Sequence, residues 1–287
     1  MMLNREVAGR SIGPLVKSYG WQDVALYGLA VGAGFSDLHY CYEKSLKPLP
    51  TFSMAAIFDL FWEAASVAGL DLTGVLHGEQ ELIFHRPIPV EGQMVTDGRI
   101  RQIYDKGRER GALVVVETET RQENGPRLFS GISTIFSRND GGFGGPAAPS
   151  TTLSFPDDPP DHVVADHPAE NQPLLYRLTG DRFALHADPD FARKAGFDRP
   201  IMHGLCTLGF ACRALIAALA PGRPEQVRRL RCRFSAPLYP GEPIETRIWH
   251  TGADQALWRL TAAGTGAIII DHGHVEIGPA PAPSDAM

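Results

Sequence analysis

The feature that most narrows the possible folds is a stretch that occurs twice. FHRPIPVEGQMVTDGRI begins at Phe84, and FSAPLYPGEPIETRIWH begins at Phe234. Each runs Phe, then Pro three residues later, then a Gly ahead of a polar strand. Each copy lies shortly after a periodic helix. In the first half Met54, Ile57, Phe58, Phe61, Trp62 and Ala65 share one face of a helix over Ser53 to Ala68. Ser53 suits the N-cap and Gly69 the stop. In the second half Leu205, Leu208, Cys212, Leu215, Ile216 and Leu219 make the same kind of face, ended by Pro221-Gly222. Strand-like segments follow the first helix at Glu81–Arg86, Met94–Tyr104, Ala112–Arg121 and Leu128–Phe136, the later ones separated by the turns Asp105-Lys106-Gly107 and Glu123-Asn124-Gly125. Four more follow the second helix, at Arg228–Phe234, Pro243–His250, Ala256–Ala262 and Ala267–Ile277, with Asp271-His272-Gly273 as a turn within the last. The expectation is an α+β chain of two similar modules, each a long helix wrapped by an antiparallel sheet.

The boundaries follow from composition. Residues 1–140 form the first module, 141–173 a linker and 174–287 the second module. The linker opens with GGFGGPAAPS, which lacks the Lys-Ser/Thr of a phosphate loop and reads as flexible chain. His162 and His167 sit in its Pro-rich part as solvated loop residues. Near the start, the small residues of YGWQDVALYGLAVGAG suit a tightly packed helix or a backbone approached by ligand, and His39-Tyr40 a surface turn. His77 and Glu79 fit equally well as site residues or as a loop-to-strand junction.

Hydrophobic residues make up 44% of the chain and charged residues 21%, which are globular values. The formal net charge of -6 gives no basic footprint for nucleic acid. An anionic ligand would need a local cluster of Arg and Lys. Cys41, Cys206, Cys212 and Cys232 form no C-x-x-C pair and read as reduced thiols. No apolar run has signal-peptide or membrane-spanning length, and PAPSDAM carries no targeting tripeptide, so the expected location is cytoplasmic. His272 and His274 share a strand face without a third ligand, and no metal site is expected.

The chemistry concentrates in YRLTGDRFALHADPDFARKAGFDRPIMHGLCTLGFACRAL, from Tyr176 to Leu215. Asp181 and His186 lie a few residues apart, and His203-Gly204 opens the second helix. An Asp and a His so spaced are, by themselves, more often a cap and a surface histidine. In this context they suit the handling of a water molecule. Adding water to a double bond conjugated to a thioester needs a base for the water and a proton for the carbon beside the carbonyl. It also needs donors preset for the enolate-like oxygen. A helix N-terminal amide is such a donor, and Gly204 lets the thioester come close.

With these motifs in order, the chain resembles the type 2 enoyl-CoA hydratases of the MaoC-like dehydratase group, which have a double hot-dog fold. The resemblance rests on LYGLAVGAG, VLHGEQ, FHRPIPVEG, IYDKG and ISTIFSRNDGGFGG in the first half. In the second half it rests on Tyr176 to Asp181, His186, RPIMHGLCTLGFACRAL and RFSAPLYPGE. It implies that Asp181 and His186 are the acid/base pair on a short helix and that Gly204 supplies the oxyanion amide. Tyr176, Arg177 and His203 match residues close to the site. It implies that the first module's long helix is replaced or displaced to make room for the acyl chain. The implied reaction is hydration of trans-2-enoyl-CoA to (3R)-3-hydroxyacyl-CoA, with neither metal nor redox cofactor, in a homodimer. One departure stands out: Phe183 replaces the usual Asn and Ala184 the usual Pro of the catalytic motif. Phe183 therefore either reshapes the substrate pocket or lowers activity. The alternatives are an acyl-CoA thioesterase, against which the Asp–His spacing argues, and a non-catalytic acyl-CoA-binding protein or partner subunit.

Overall fold

The computed structural model describes residues 3–149 and 153–279. The PAPSDAM stretch lies outside the described residues. In the first half β1 is Ser11–Tyr19, α1 Trp21–Ala30, α2 Phe52–Val67, β2 Val75–Phe84, β3 Gly92–Asp105, β4 Ala112–Gln122 and β5 Arg127–Ser137. The second half contains β6 His162–Asp166, α3 Gln172–Tyr176, α4 Pro189–Lys194 and α5 Gly204–Leu219, then β7 Val227–Phe234, β8 Ile244–His250, β9 Gln255–Ala262 and β10 Ile268–Ile277.

These strands form one antiparallel sheet in the order β1-β3-β4-β5-β2-β7-β10-β9-β8-β6. Five strands come from each half, and β2 pairs with β7 to make the sheet continuous. Alternation explains which side faces the core. In β4, Ala112, Val114, Val116, Thr118 and Thr120 are buried, while most of the residues between them are half-buried. The buried side packs on helices: α2 lies on β1, β3, β4 and β5, and α5 lies against β6 and β8.

The long helix of the first module is not replaced. At 16 residues α2 equals α5 in length, and its periodic face buries Met54, Ile57, Phe58, Phe61, Ala64 and Ala65. The stretch read as linker contributes β6, which pairs with β8 as an edge strand of the second half. Asp271-His272-Gly273 does not end its strand. It forms a bulge in β10, with His272 at φ 52° and Gly273 pressed on Trp258. The helix expected near the N-terminus is α1, packed so closely that a Cβ on Gly28 would stand 2.0 Å from the Tyr40 carbonyl oxygen. Tyr40 is therefore buried rather than in a surface turn.

Candidate active site

The site grows from the loop between α3 and α5. A single 3-10 turn over Arg177–Thr179 ends at Gly180, whose φ of 139° turns the chain sharply into Asp181. A second 3-10 turn, Ala184–His186, brings His186 round to Asp181. Asp188 then caps α4, accepting from the amides of Asp190 at 2.8 Å and Phe191 at 3.2 Å, with Pro189 at the first helical position. The chain returns through Ile201 and Met202 to start α5 at Gly204.

Each functional group is held by a backbone partner. The Phe183 amide donates to Asp181 Oδ1 at 3.1 Å. His186 Nδ1 lies 2.9 Å from the Ile201 carbonyl oxygen. A carbonyl only accepts, so Nδ1 carries the hydrogen and Nε2 keeps its lone pair. His203 Nε2 donates to the Asp181 backbone carbonyl at 3.1 Å. The His203 ring stacks on that of His186, with centroids 3.8 Å apart, and leans on Tyr176 at 4.9 Å. His203 is also the N-cap residue of α5. One imidazole thus braces the Asp181 backbone and the His186 ring.

Burial sets the protonation states. Asp181 is pushed up to about 7 by loss of solvation, which the Phe183 amide only partly offsets. His186 is pushed down to about 4 by burial, partly offset by the Ile201 carbonyl. Burial, and then the neighbouring His186, lower His203 further still. Between pH 4 and pH 7 the Asp181–His186 pair therefore holds a protonated carboxyl beside a neutral imidazole. Gly204 adds its amide, one of the first N–H groups of α5 that lack an intrahelical acceptor.

These groups open on a cavity of about 320 Å³. Asp181, Phe183, His186 and Gly204 line it. Tyr176 and His203, both buried, and Arg177, half-buried, lie behind this lining. Further lining comes from distant elements: Phe58, Phe61 and Trp62 of α2, His77 of β2, Arg138 after β5, and Phe234 of β7. Phe52, by contrast, is packed against Tyr19 and Tyr27 in the core. Phe234 stands so near Gly204 that a Cβ there would lie 3.1 Å from its ring. His77 stacks on Phe61 and shares the Gln80 side-chain oxygen with Ser133, at 3.0 Å and 2.7 Å. Glu79 faces away and pairs with Arg233 of β7.

Asp181, His186 and His203 each place one possible metal-ligating atom within 4.8 Å of the others. The two imidazole rings lie face to face, 29° from parallel. Their in-plane lone pairs run side by side rather than meeting at one point. That arrangement suits a braced acid/base pair better than a chelate.

Sequence comparison agrees with this architecture. Residues 18–139 match the MFE-2 hydratase 2 N-terminal domain, and residues 151–269 match the MaoC like domain. A 3-hydroxyacyl-thioester dehydratase Y from Mycobacterium tuberculosis is 37% identical, over 96% of this chain and 99% of that protein. The chain belongs to the MaoC-like hydratase 2 family. Another relative, a probable enoyl-CoA hydratase 2 from Dictyostelium discoideum, is 35% identical over 96% of each chain. The crystal structure of a MaoC-like dehydratase from Phytophthora capsici superposes with a TM-score of 0.85 at 28% identity, covering 96% of this chain and 98% of that one. The family fold is the double hot-dog, and the continuous ten-stranded sheet with one long helix per half is that fold.

Proposed function

We propose that this member of the hydratase 2 family is a hydro-lyase that reversibly hydrates trans-2-enoyl-CoA to 3-hydroxyacyl-CoA, in the (3R) series. The observation that carries this reading is the convergence of Asp181, His186 and the Gly204 amide on one apolar cavity, with the acid and the base tuned in opposite directions. The names of the two relatives describe the same chemistry from either side, as dehydratase and as hydratase.

The chemistry follows from the protonation states. A water sits between the Asp181 carboxyl and the His186 Nε2 lone pair. Nε2 takes one proton as the water oxygen bonds to C3. The electron pair of the double bond moves toward the thioester oxygen, where the Gly204 amide and the α5 dipole receive the charge. C2 then takes the proton of the Asp181 carboxyl, and His186 returns a proton to the carboxylate. The neutral imidazole and the protonated carboxyl are restored. The local cations that an anionic CoA needs are available around the cavity. Arg138 lines it and lies 5.3 Å from the Phe197 ring, Lys106 lies 4.9 Å from Phe136, and Arg199 stacks 4.8 Å from Tyr239. No helix among the described residues is long and apolar enough to cross a membrane. A cytoplasmic homodimer is the working arrangement, tested by cell fractionation and by mass in solution.

The test is crotonyl-CoA hydration by Asp181→Asn and His186→Ala variants, followed by loss of enoyl-thioester absorbance. Each variant should lose on the order of 10² to 10⁴ in rate, the range for a general acid or base. Near-normal rates in both would overturn the assignment. Loss of the band with matching release of free thiol would instead indicate a thioesterase.

A further inference from the structure

Phe183 occupies a position with two attachments. Its amide donates to the Asp181 carboxyl at 3.1 Å. Its ring faces the other module, meeting Trp62 of α2 with centroids 4.6 Å apart and planes at 51°. Phe191 of α4 supports it edge-on at 5.1 Å, and the His186 ring stands 6.1 Å away. Phe183 and Trp62 are both half-buried and both line the cavity. The contact therefore bridges the two modules across the space beside the acid/base pair. An Asn at 183 would leave that bridge open.

Because α2 is full length, the space beyond Trp62 is already filled. Trp62 is backed edge-to-face by Phe58 at 5.9 Å and by Phe61 at 5.5 Å. Ring contacts of this kind are stiff, since each residue has only two side-chain torsions and the rings lock one another by packing.

We propose that the Phe183–Trp62 contact is the specificity-determining wall of the acyl pocket and restricts the enzyme to short and medium acyl groups. The inference rests on the hydratase reading and specifies its substrate class. A longer chain meets the Phe183–Trp62 pair and must separate the rings, losing their contact and straining the loop that carries Asp181. Removing either ring joins the pocket to the space the pair occupies and admits a longer chain. The selectivity belongs to the pair, so the two single variants should act in the same direction.

The experiment compares hydration of crotonyl-, trans-2-octenoyl- and trans-2-hexadecenoyl-CoA by the wild type and by Phe183→Ala, Phe183→Leu and Trp62→Phe. The readout is the ratio of kcat/KM for the longest substrate to that for crotonyl-CoA, which cancels any general loss of activity. In the wild type this ratio should fall at least tenfold below the octenoyl-to-crotonyl ratio. Phe183→Ala should raise the long-chain ratio tenfold or more. Phe183→Leu and Trp62→Phe, which keep an apolar side chain at the cavity wall, should raise it by smaller factors. A wild type that hydrates the sixteen-carbon substrate as well as the eight-carbon one overturns the inference. So do folded variants with unchanged ratios. Loss of the hydratase reading is a separate outcome, seen as no hydration of any substrate by the wild type.

Discussion

At the scale of single residues, the informative feature is that one environment moves two groups in opposite senses. Burial raises Asp181 to about 7 and lowers His186 to about 4, because each charged form loses solvation. The mechanism needs the carboxyl protonated and the imidazole neutral. Hydration should therefore decline as pH rises through about 7, where Asp181 loses its proton, and as pH falls through about 4, where His186 gains one. The pH dependence of kcat/KM for crotonyl-CoA checks this, provided folding is confirmed at each pH by circular dichroism. A rate that climbs steadily from pH 6 to pH 9 would assign the base role to ionised Asp181 instead.

The residues behind the lining explain how this pair stays in register. His203 touches the Asp181 backbone and the His186 ring at once, so in the proposed reaction it acts through its neighbours. The family motif places His203 close to the site, but its contacts with the Asp181 carbonyl and the His186 ring appear only in the fold. Asp181, His186 and Gly204 can be singled out in the sequence because motif spacing sets them on one short stretch of chain, and the fold lines one cavity with all three. His77 reads from sequence equally as a site residue or as a strand junction, while Trp62 and Phe234 arrive from other elements and only the fold brings them to the cavity. Phe234 did carry a signal, as the first residue of the repeated stretch, but the repeat says nothing about its nearness to Gly204.

At the scale of elements, the start of α5 combines helix physics with close packing. Gly204 supplies an amide at a helix N-terminus and leaves room beside Phe234. Gly204→Ala keeps the amide but places a Cβ 3.1 Å from the Phe234 ring, beside the amide that receives the thioester oxygen in the proposed reaction. Alanine costs a helix up to about 1 kcal/mol less than glycine, so stability should change little. The hydration rate should nevertheless fall at least tenfold, about 1.4 kcal/mol in barrier. Thermal melting and steady-state kinetics on the same preparation separate the two effects. Equal losses of stability and rate would mean that the substitution simply disrupts the helix start.

The same scale shows which elements a sequence reveals. The long helices and the inner strands were legible because both periodicities are strong where one face is buried. β1 and β6 were missed, and they are the two edges of the sheet. In β1 only Ile12 and Tyr19 are buried, and the pairing shifts register around Gly13-Pro14. In β6 no residue is fully buried. An edge strand of this kind has little apolar alternation to read. β2 was found late, at Glu81 rather than Val75, because a bulge at Gly78 and the buried polar Gln80 break its pattern.

At the scale of the whole molecule, the site depends on the two modules being held in one alignment. The proposed acid/base pair, Asp181 and His186, belongs to the second module, while the α2 residues lining the same cavity belong to the first. What joins the sheets is the β2–β7 pairing, from Glu79 opposite Arg233 to Ile83 opposite Arg229. Its inward side is apolar or hydrogen-bonded, with Leu82 opposite Leu230 and Gln80 opposite Cys232. Its outward side is a ladder of charges. Arg229 reaches Glu81 through Nε at 2.7 Å and Glu276 of β10 at 3.3 Å, and Arg231 lies 3.6 Å from Glu79. Isolated surface pairs contribute little, but cross-strand pairs within a half-buried network contribute more. Arg229→Glu sets three carboxylates together and should destabilise the protein by about 1–3 kcal/mol, with part of that recovered at high salt as repulsion is screened. Adding Glu81→Arg puts opposite charges back across the joint and should restore much of the loss. Melting curves of the single and double variants at low and high salt test this directly. A double variant no more stable than Arg229→Glu alone would show that the joint is held by its inward face and that the ladder is only a solvated surface.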